Sequence, residues 1–234
     1  MKSLAVILFA LVGLVACEKW SVYDENAHEY CIILEAETTL NLVYSTENGT
    51  ETCKVEVKDV DSVTGNCKAT HDGKPAQILT IGFTPLKNDS HQPWSLDIIF
   101  TTNANGYKVS EYKVLTAENP ICPQAITGQI QMLKNSTNDV AASGSSGFKC
   151  SKSALPLESG SSVEFKGLRT VAFSHLTTAE FPANQGFDLC FLDTRTSDIV
   201  PIIVGACLAC LVIVVLVAYL IGRARARRQG YASV

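Results

Sequence analysis

The chain has 234 residues, 47% of them apolar and 18% charged, with a formal net charge of −4. Its apolar residues concentrate in two runs, Leu4–Val15 and Ile199–Ile221, with an ordinary globular composition between them, which excludes a polytopic transporter. All 23 acidic residues lie in that middle stretch against fourteen of the 19 basic ones, so the body carries −9 and argues against nucleic-acid binding.

Lys2, the apolar run Leu4–Val15 and the small residues Ala16 and Cys17 read as a secretory signal peptide over residues 1–17. The run is about 18 Å long as a helix, short of the ~30 Å hydrocarbon core. Cleavage after Cys17 puts Val15 and Cys17 at the two small-residue positions; cleavage after Ala16 leaves Cys17 on the mature chain. Leu14-Val15-Ala16-Cys17 also spells a lipoprotein box, but small residues before a cleavage site produce that pattern by chance, and a lipoprotein has little use for a second apolar run.

Residues 18–198 are expected to face an oxidising, non-cytosolic compartment. Their six cysteines, Cys31, Cys53, Cys67, Cys122, Cys150 and Cys190, predict disulfides, with 15 possible connectivities. No Cys–His spacing suits a metal. Asn48-Gly49-Thr50, Asn88-Asp89-Ser90 and Asn135-Ser136-Thr137 are glycosylation sequons.

The body reads as β. Trp94, Leu96, Ile98 and Phe100 alternate with Ser95, Asp97, Ile99 and Thr101, the period of a half-buried strand. Thr39–Tyr44, Lys54–Val60, Gln77–Thr84, Tyr107–Leu115, Ser162–Phe173 and Gly186–Phe191 are similar runs. Turn-rich separators recur at Glu47–Gly49, Asp72–Pro75, Asn103–Gly106 and Ser143–Gly147. Together they predict one all-β domain, sandwich- or prism-like, with helix confined to the membrane segment.

Catalytic signatures are weak. His28, His71, His91 and His175 fall in no zinc spacing, and there is no Gly-x-Ser-x-Gly elbow or phosphate-cradling loop. Ser174-His175 is a triad fragment by spelling only. Asp59 with Asp61, and Glu35 with Glu37, are alternate acids that read as solvated strand faces rather than a glycosidase pair. No enzyme, cofactor or metal site is expected.

Ile199–Ile221 carries no charge and spans about 35 Å as a helix, enough for a bilayer. A transmembrane helix is assigned to residues 199–222. Arg223, Arg225, Arg227 and Arg228 mark the cytosolic side and favour contact with anionic lipid, leaving 223–234 as a tail. Arg223-Ala224-Arg225 also spells a retrieval signal, for which topology is the simpler account. Cys207-Leu208-Ala209-Cys210 lies within the lipid span, away from thiolate chemistry, and Gly205 with Ala209 is a small-xxx-small pair that permits helix self-association. The tail ends Gly230-Tyr231-Ala232-Ser233-Val234. A tyrosine three residues before a bulky apolar residue, in a short tail, suits extended binding along a strand edge with pockets for Tyr231 and Val234. A PDZ groove fits less well, because Ala232 stands where Ser or Thr is usual.

Asp188–Asp193, Ile199–Gly205, Ala218–Arg223 and Gly230–Val234 resemble, in order and spacing, the C-terminal region of the lysosome-associated membrane glycoprotein (LAMP) family. Phe148-Lys149-Cys150 and Leu168–Phe173 are similar to its weaker upstream signatures. The resemblance implies a β-prism-like lumenal domain, Cys31–Cys67 and Cys150–Cys190 bridges, and residence in lysosomal and late-endosomal membranes. It implies Tyr231 and Val234 as contacts for clathrin adaptor complexes, with Gly230 favouring the lysosomal route. Cys53 and Cys122 depart from the four-cysteine family pattern and are assigned to a third bridge. A homo-oligomer through the lumenal domain or the membrane helix is a further expectation. The alternative reading is a cell-surface or endosomal recycling receptor or adhesion glycoprotein using the same tail.

Overall fold

The computed structural model describes residues 17–46, 49–85, 93–117, 121–122, 128–131 and 140–230. Two compact units are distinguished, one ending at Asp188 and one running from Leu189 to Val234.

The first unit is β. In chain order its strands are β1 (Glu18–Asp24), β2 (Glu29–Thr46), β3 (Gly49–Val57), β4 (Ser62–His71), β5 (Lys74–Phe83), β6 (Trp94–Asn103), β7 (Gly106–Thr116), β8 (Gly128–Gln131), β9 (Ala141–Ser143), β10 (Gly147–Pro156), β11 (Ser162–Val171) and β12 (Phe187–Leu189). They form two six-stranded sheets. The first runs β1-β2-β11-β10-β12, with β3 also paired to β2; the second runs β4-β5-β6-β7-β8, with β9 also paired to β7. The long β2 anchors the first sheet. Its residues 29–36 pair with β1 and its residues 38–46 with β3, while β11 pairs with residues 33–41.

The core follows from alternation. Trp94, Leu96, Ile98 and Phe100 of β6 are all fully buried and lie opposite Phe83, Ile81, Leu79 and Gln77 of β5. From the first sheet Trp20, Val22, Leu34, Leu40, Leu42, Val55, Val163 and Phe165 are buried as well. At ~25 cal/mol per Å² of apolar surface removed from water, these side chains are the principal stabilising contribution. The Trp94 indole donates to the Ala117 carbonyl at 2.8 Å, so its polar edge is satisfied.

Several boundaries differ from the sequence reading. The run Lys54–Val60 stops as strand at Val57, because Asp59 adopts φ 53° and turns the chain. The Ser162–Phe173 run stops at Val171, with Phe173 at φ 54°. Gly186–Phe191 yields only the three-residue β12. Strands β1, β4, β8, β9 and β10 were not anticipated.

The second unit holds α1, Phe191–Gly230, 40 residues long. Residues 203–223 form a segment of mean hydropathy 3.0 that is exposed along its length, long and apolar enough to cross a membrane. The helix therefore begins eight residues before the apolar run, within the stretch assigned to the β domain, and continues into the tail. Asp193 in the first turn complements the helix dipole, and the Thr194 hydroxyl donates to the Phe191 carbonyl at 2.8 Å.

Candidate functional site

Three sets of residues were singled out by sequence: the cysteine staples, the enzyme-like fragments and the tail. Cys31 on β2 is bonded to Cys67 on β4, Cα–Cα 5.8 Å, and Cys53 on β3 to Cys122, Cα–Cα 5.6 Å. Cys150 and Cys190 are disulfide-bonded too, while Cys17, Cys207 and Cys210 are free thiols. Cys31–Cys67 joins the two sheets, and the Lys68–Asp24 ion pair at 2.8 Å reinforces the same junction. Gly65 completes it: a Cβ there would come 2.6 Å from Val22, so β4 comes this close to β1 only with glycine.

His91 lies outside the described residues, and the described enzyme-like fragments are engaged in structural contacts. The Ser174 hydroxyl donates to the carbonyls of Tyr30 (2.9 Å) and Cys31 (3.2 Å), extending the β11–β2 pairing past Val171. His175 turns instead to Glu29, Nδ1 to Oε2 2.6 Å. Asp61 accepts from the Thr84 hydroxyl at 2.7 Å and closes a loop. Among the described residues, one open surface groove lies beside Lys54, Glu56 and Pro85 and another beside Lys74, Asn105 and Lys108; neither has a histidine or cysteine in its described lining.

Glu35 and Glu37 are more than a solvated face. Lys19, Glu35 and Arg169 lie in one row across β1, β2 and β11. The Arg169 Nε donates to Glu35 Oε2 at 3.1 Å, and Lys19 Nζ lies 3.7 Å from Glu35 Oε1. The segment after β11 passes over this row. Glu180 pairs with Lys19, and the Arg169 guanidinium sits 4.9 Å from the Phe181 ring centroid and 5.9 Å from that of Phe187. Glu37 pairs with Lys166 at 2.9 Å, which holds the Lys166 ammonium above its usual range. Sequence reasoning missed this network because Glu37 and Lys166 lie 129 residues apart in the chain, and Glu35 and Arg169 134.

Asn48, Asn88 and Asn135 lie outside the described residues, as do Tyr231 and Val234; Gly230 is the last residue of α1. Thr50, which completes the first sequon, is exposed on β3.

Residues 200–232 match the family profile described as "Lysosome-associated membrane glycoprotein 2, transmembrane segment". The β unit is similar to the membrane-proximal domain of mouse lysosome-associated membrane protein 1, with TM-score 0.55, 16% identity, and coverage of 76% of this chain and 98% of that one. The chain is similar to the LAMP family in its membrane segment and in the fold of its β unit. Human LAMP-3 (DC-LAMP) is similar as well, with TM-score 0.51 at 18% identity, covering 75% of this chain and 99% of the other. Macrosialin of Mus musculus is 26% identical over 207 residues and macrosialin of Homo sapiens 25% over 203, each covering 86% of this chain. The match takes in 57% and 52% of those two proteins, so the chain spans about half the length of the curated relatives it matches.

Proposed function

We propose that this chain is a LAMP-family type I membrane glycoprotein of lysosomes and late endosomes, a structural and protective component of that membrane. In this role it serves lysosome biogenesis, fusion or trafficking. The observation that carries the reading is the helical segment 203–223 followed directly by the arginine-rich stretch and Gly230-Tyr231-Ala232-Ser233-Val234. The family profile covers residues 200–232 of this region. The tail delivers the protein by presenting Tyr231 and Val234 to clathrin adaptor complexes. Glycans on Asn48, Asn88 and Asn135, together with the disulfides, shield the lumenal body from proteases and acid.

The test is to image the endogenous protein beside an acidic-compartment marker, with and without Tyr231→Ala. Overlap with acidic vesicles that is lost to the cell surface in the variant supports the reading. Surface residence of both proteins overturns it and favours a recycling receptor. A mobility shift on enzymatic removal of N-glycans, abolished when all three sequon asparagines are changed to Gln, checks the glycan coat.

A further inference from the structure

Strand β3 is an open edge of the first sheet. Among the described residues it pairs with β2 alone, along the whole of Gly49–Val57, so its far side presents a row of backbone donors and acceptors. The other sheet edges are closed or short. β4 leans on β1, held by the Lys68–Asp24 pair at 2.8 Å and by the close approach of Gly65 to Val22. β8, β9 and β12 run only three or four residues each. The second half of β3 borders an open groove of about 440 Å³, lined by Lys54, Val55 and Glu56 of the strand and by Thr84, Pro85 and Ile121 from elsewhere in the chain. Along the strand Cys53, Val55 and Val57 are buried, while Lys54 and Glu56 are exposed on the outer face.

We propose that the open edge of β3 pairs antiparallel with the same edge of a second copy of this chain, about a two-fold axis at Val55. Opposite charges on either side of one position make a strand complementary to itself. Rotated about Val55, Lys54 of each copy stands opposite Glu56 of the other on the same face, giving two opposite-charge cross-strand pairs. Thr52 then falls opposite Lys58, and Cys53 opposite Val57, so no like charges meet and inward residues face inward residues. The neighbouring registers are penalised: an axis at Lys54 sets two lysines against each other, and one at Glu56 two glutamates. Glu56 already pairs with Lys58 of its own chain at 2.9 Å, and the second copy's lysine approaches from the open side. Thr50, which completes the first sequon, lies outside the paired stretch 52–58. Backbone bonds supply the affinity in such strand addition, and the charged pairs choose the partner.

The pairing belongs to the β body and is read on purified protein, whatever compartment the chain occupies, so its failure is distinct from failure of the lysosomal assignment. The full chain, labelled with a donor or an acceptor dye, is reconstituted into phosphatidylcholine vesicles at a fixed protein-to-lipid ratio, and energy transfer between copies is measured. The samples are wild type with itself, Lys54→Glu with itself, Glu56→Lys with itself, and Lys54→Glu mixed with Glu56→Lys. Wild type should associate. Each variant alone sets like charges opposite each other and should associate roughly tenfold more weakly. The mixture restores both opposite-charge pairs and should return to the wild-type level, which also shows that the two variants are folded. Equal transfer in all four samples places the association elsewhere, as in the membrane helix, and overturns the proposal. A mixture no stronger than either variant alone overturns it too, as does an absence of transfer in wild type.

Discussion

The Tyr107 hydroxyl on β7 donates to the Thr170 carbonyl on β11 at 2.9 Å, a hydrogen bond between the two sheets in the middle of the core. Thr170 passes the connection on, its own hydroxyl donating to the Ile33 carbonyl on β2 at 3.1 Å. Both residues are almost completely buried. Burial pushes the Tyr107 phenol far above its ordinary range; the Asp188 charge adds to this, and backbone contacts at Phe148 and Ala172 pull the other way. The phenol therefore stays a neutral donor at every pH a cell offers.

Tyr107→Phe keeps the ring and its edge contact with Phe100 (centroids 6.1 Å apart) but leaves a buried carbonyl without that donor. The expected cost is about 1–2 kcal/mol, seen as a lower urea midpoint with unchanged slope. Tyr107→Ala opens a cavity as well and should cost roughly 3–5 kcal/mol.

The Cys53–Cys122 bridge closes a 69-residue separation, against 36 for Cys31–Cys67. Loop-closure entropy scales with the logarithm of length, so each bridge restrains the unfolded chain by roughly 4 kcal/mol. Replacing Cys53 and Cys122 together by Ala should lower stability by about that amount and expose the body to protease. Non-reducing peptide mapping of the wild type should recover Cys31 with Cys67 and Cys53 with Cys122 as linked peptides.

Arg169 holds the segment after β11 in place by serving two partners at once. Its fork binds Glu35 and its flat face lies against Phe181 and Phe187. Lysine keeps the charge but offers neither the fork nor the plane. Arg169→Lys should cost about 1 kcal/mol. Arg169→Ala should also make residues 177–186 the first site of limited proteolysis. Cleavage there at the wild-type rate would show that Lys19 and Glu180 hold the segment unaided.

What the sequence disclosed depended on whether a strand had a buried stripe. β6 was legible because Trp94, Leu96, Ile98 and Phe100 all face the core. β4 was not, because it is exposed along almost its whole length and is held by pairing with β5 and by the Cys67 bridge rather than by apolar alternation. β10 hid for a related reason: Ser153 occupies a buried position in its inward series. The apolar length of α1 was evident, but its polar first turns, Phe191–Asp198, carry no hydropathy signal and were assigned to the β body. Glu35 was read as solvated because nothing local announces a partner 134 residues away. The bridge between Cys53 and Cys122 could be assigned only by elimination, since spacing does not select among fifteen connectivities.

Asp24 shows how the β body tolerates acid. Its carboxylate pairs with Lys68 at 2.8 Å and accepts from the backbone N–H groups of Asn26 (2.9 Å) and Ala27 (3.3 Å), closing the turn that leads into β2. The Lys68 hydrogen bond is the largest influence, and together with these amides it holds the carboxyl below the ordinary value of 3.8 despite an opposing desolvation effect. The sign follows. A carboxyl depressed on folding contributes stability that is complete above its unfolded pKa and is lost as pH falls through the folded one. The contribution is therefore intact at pH about 5 and fades only below about 4. Asp24→Asn keeps a side-chain oxygen for the turn amides but removes the charge, so the variant should lose stability relative to wild type at pH about 5, with the difference shrinking toward pH about 3. Denaturation midpoints measured across that range check it; a difference that holds constant down to pH about 3 would assign the role of Asp24 to the turn amides rather than to Lys68.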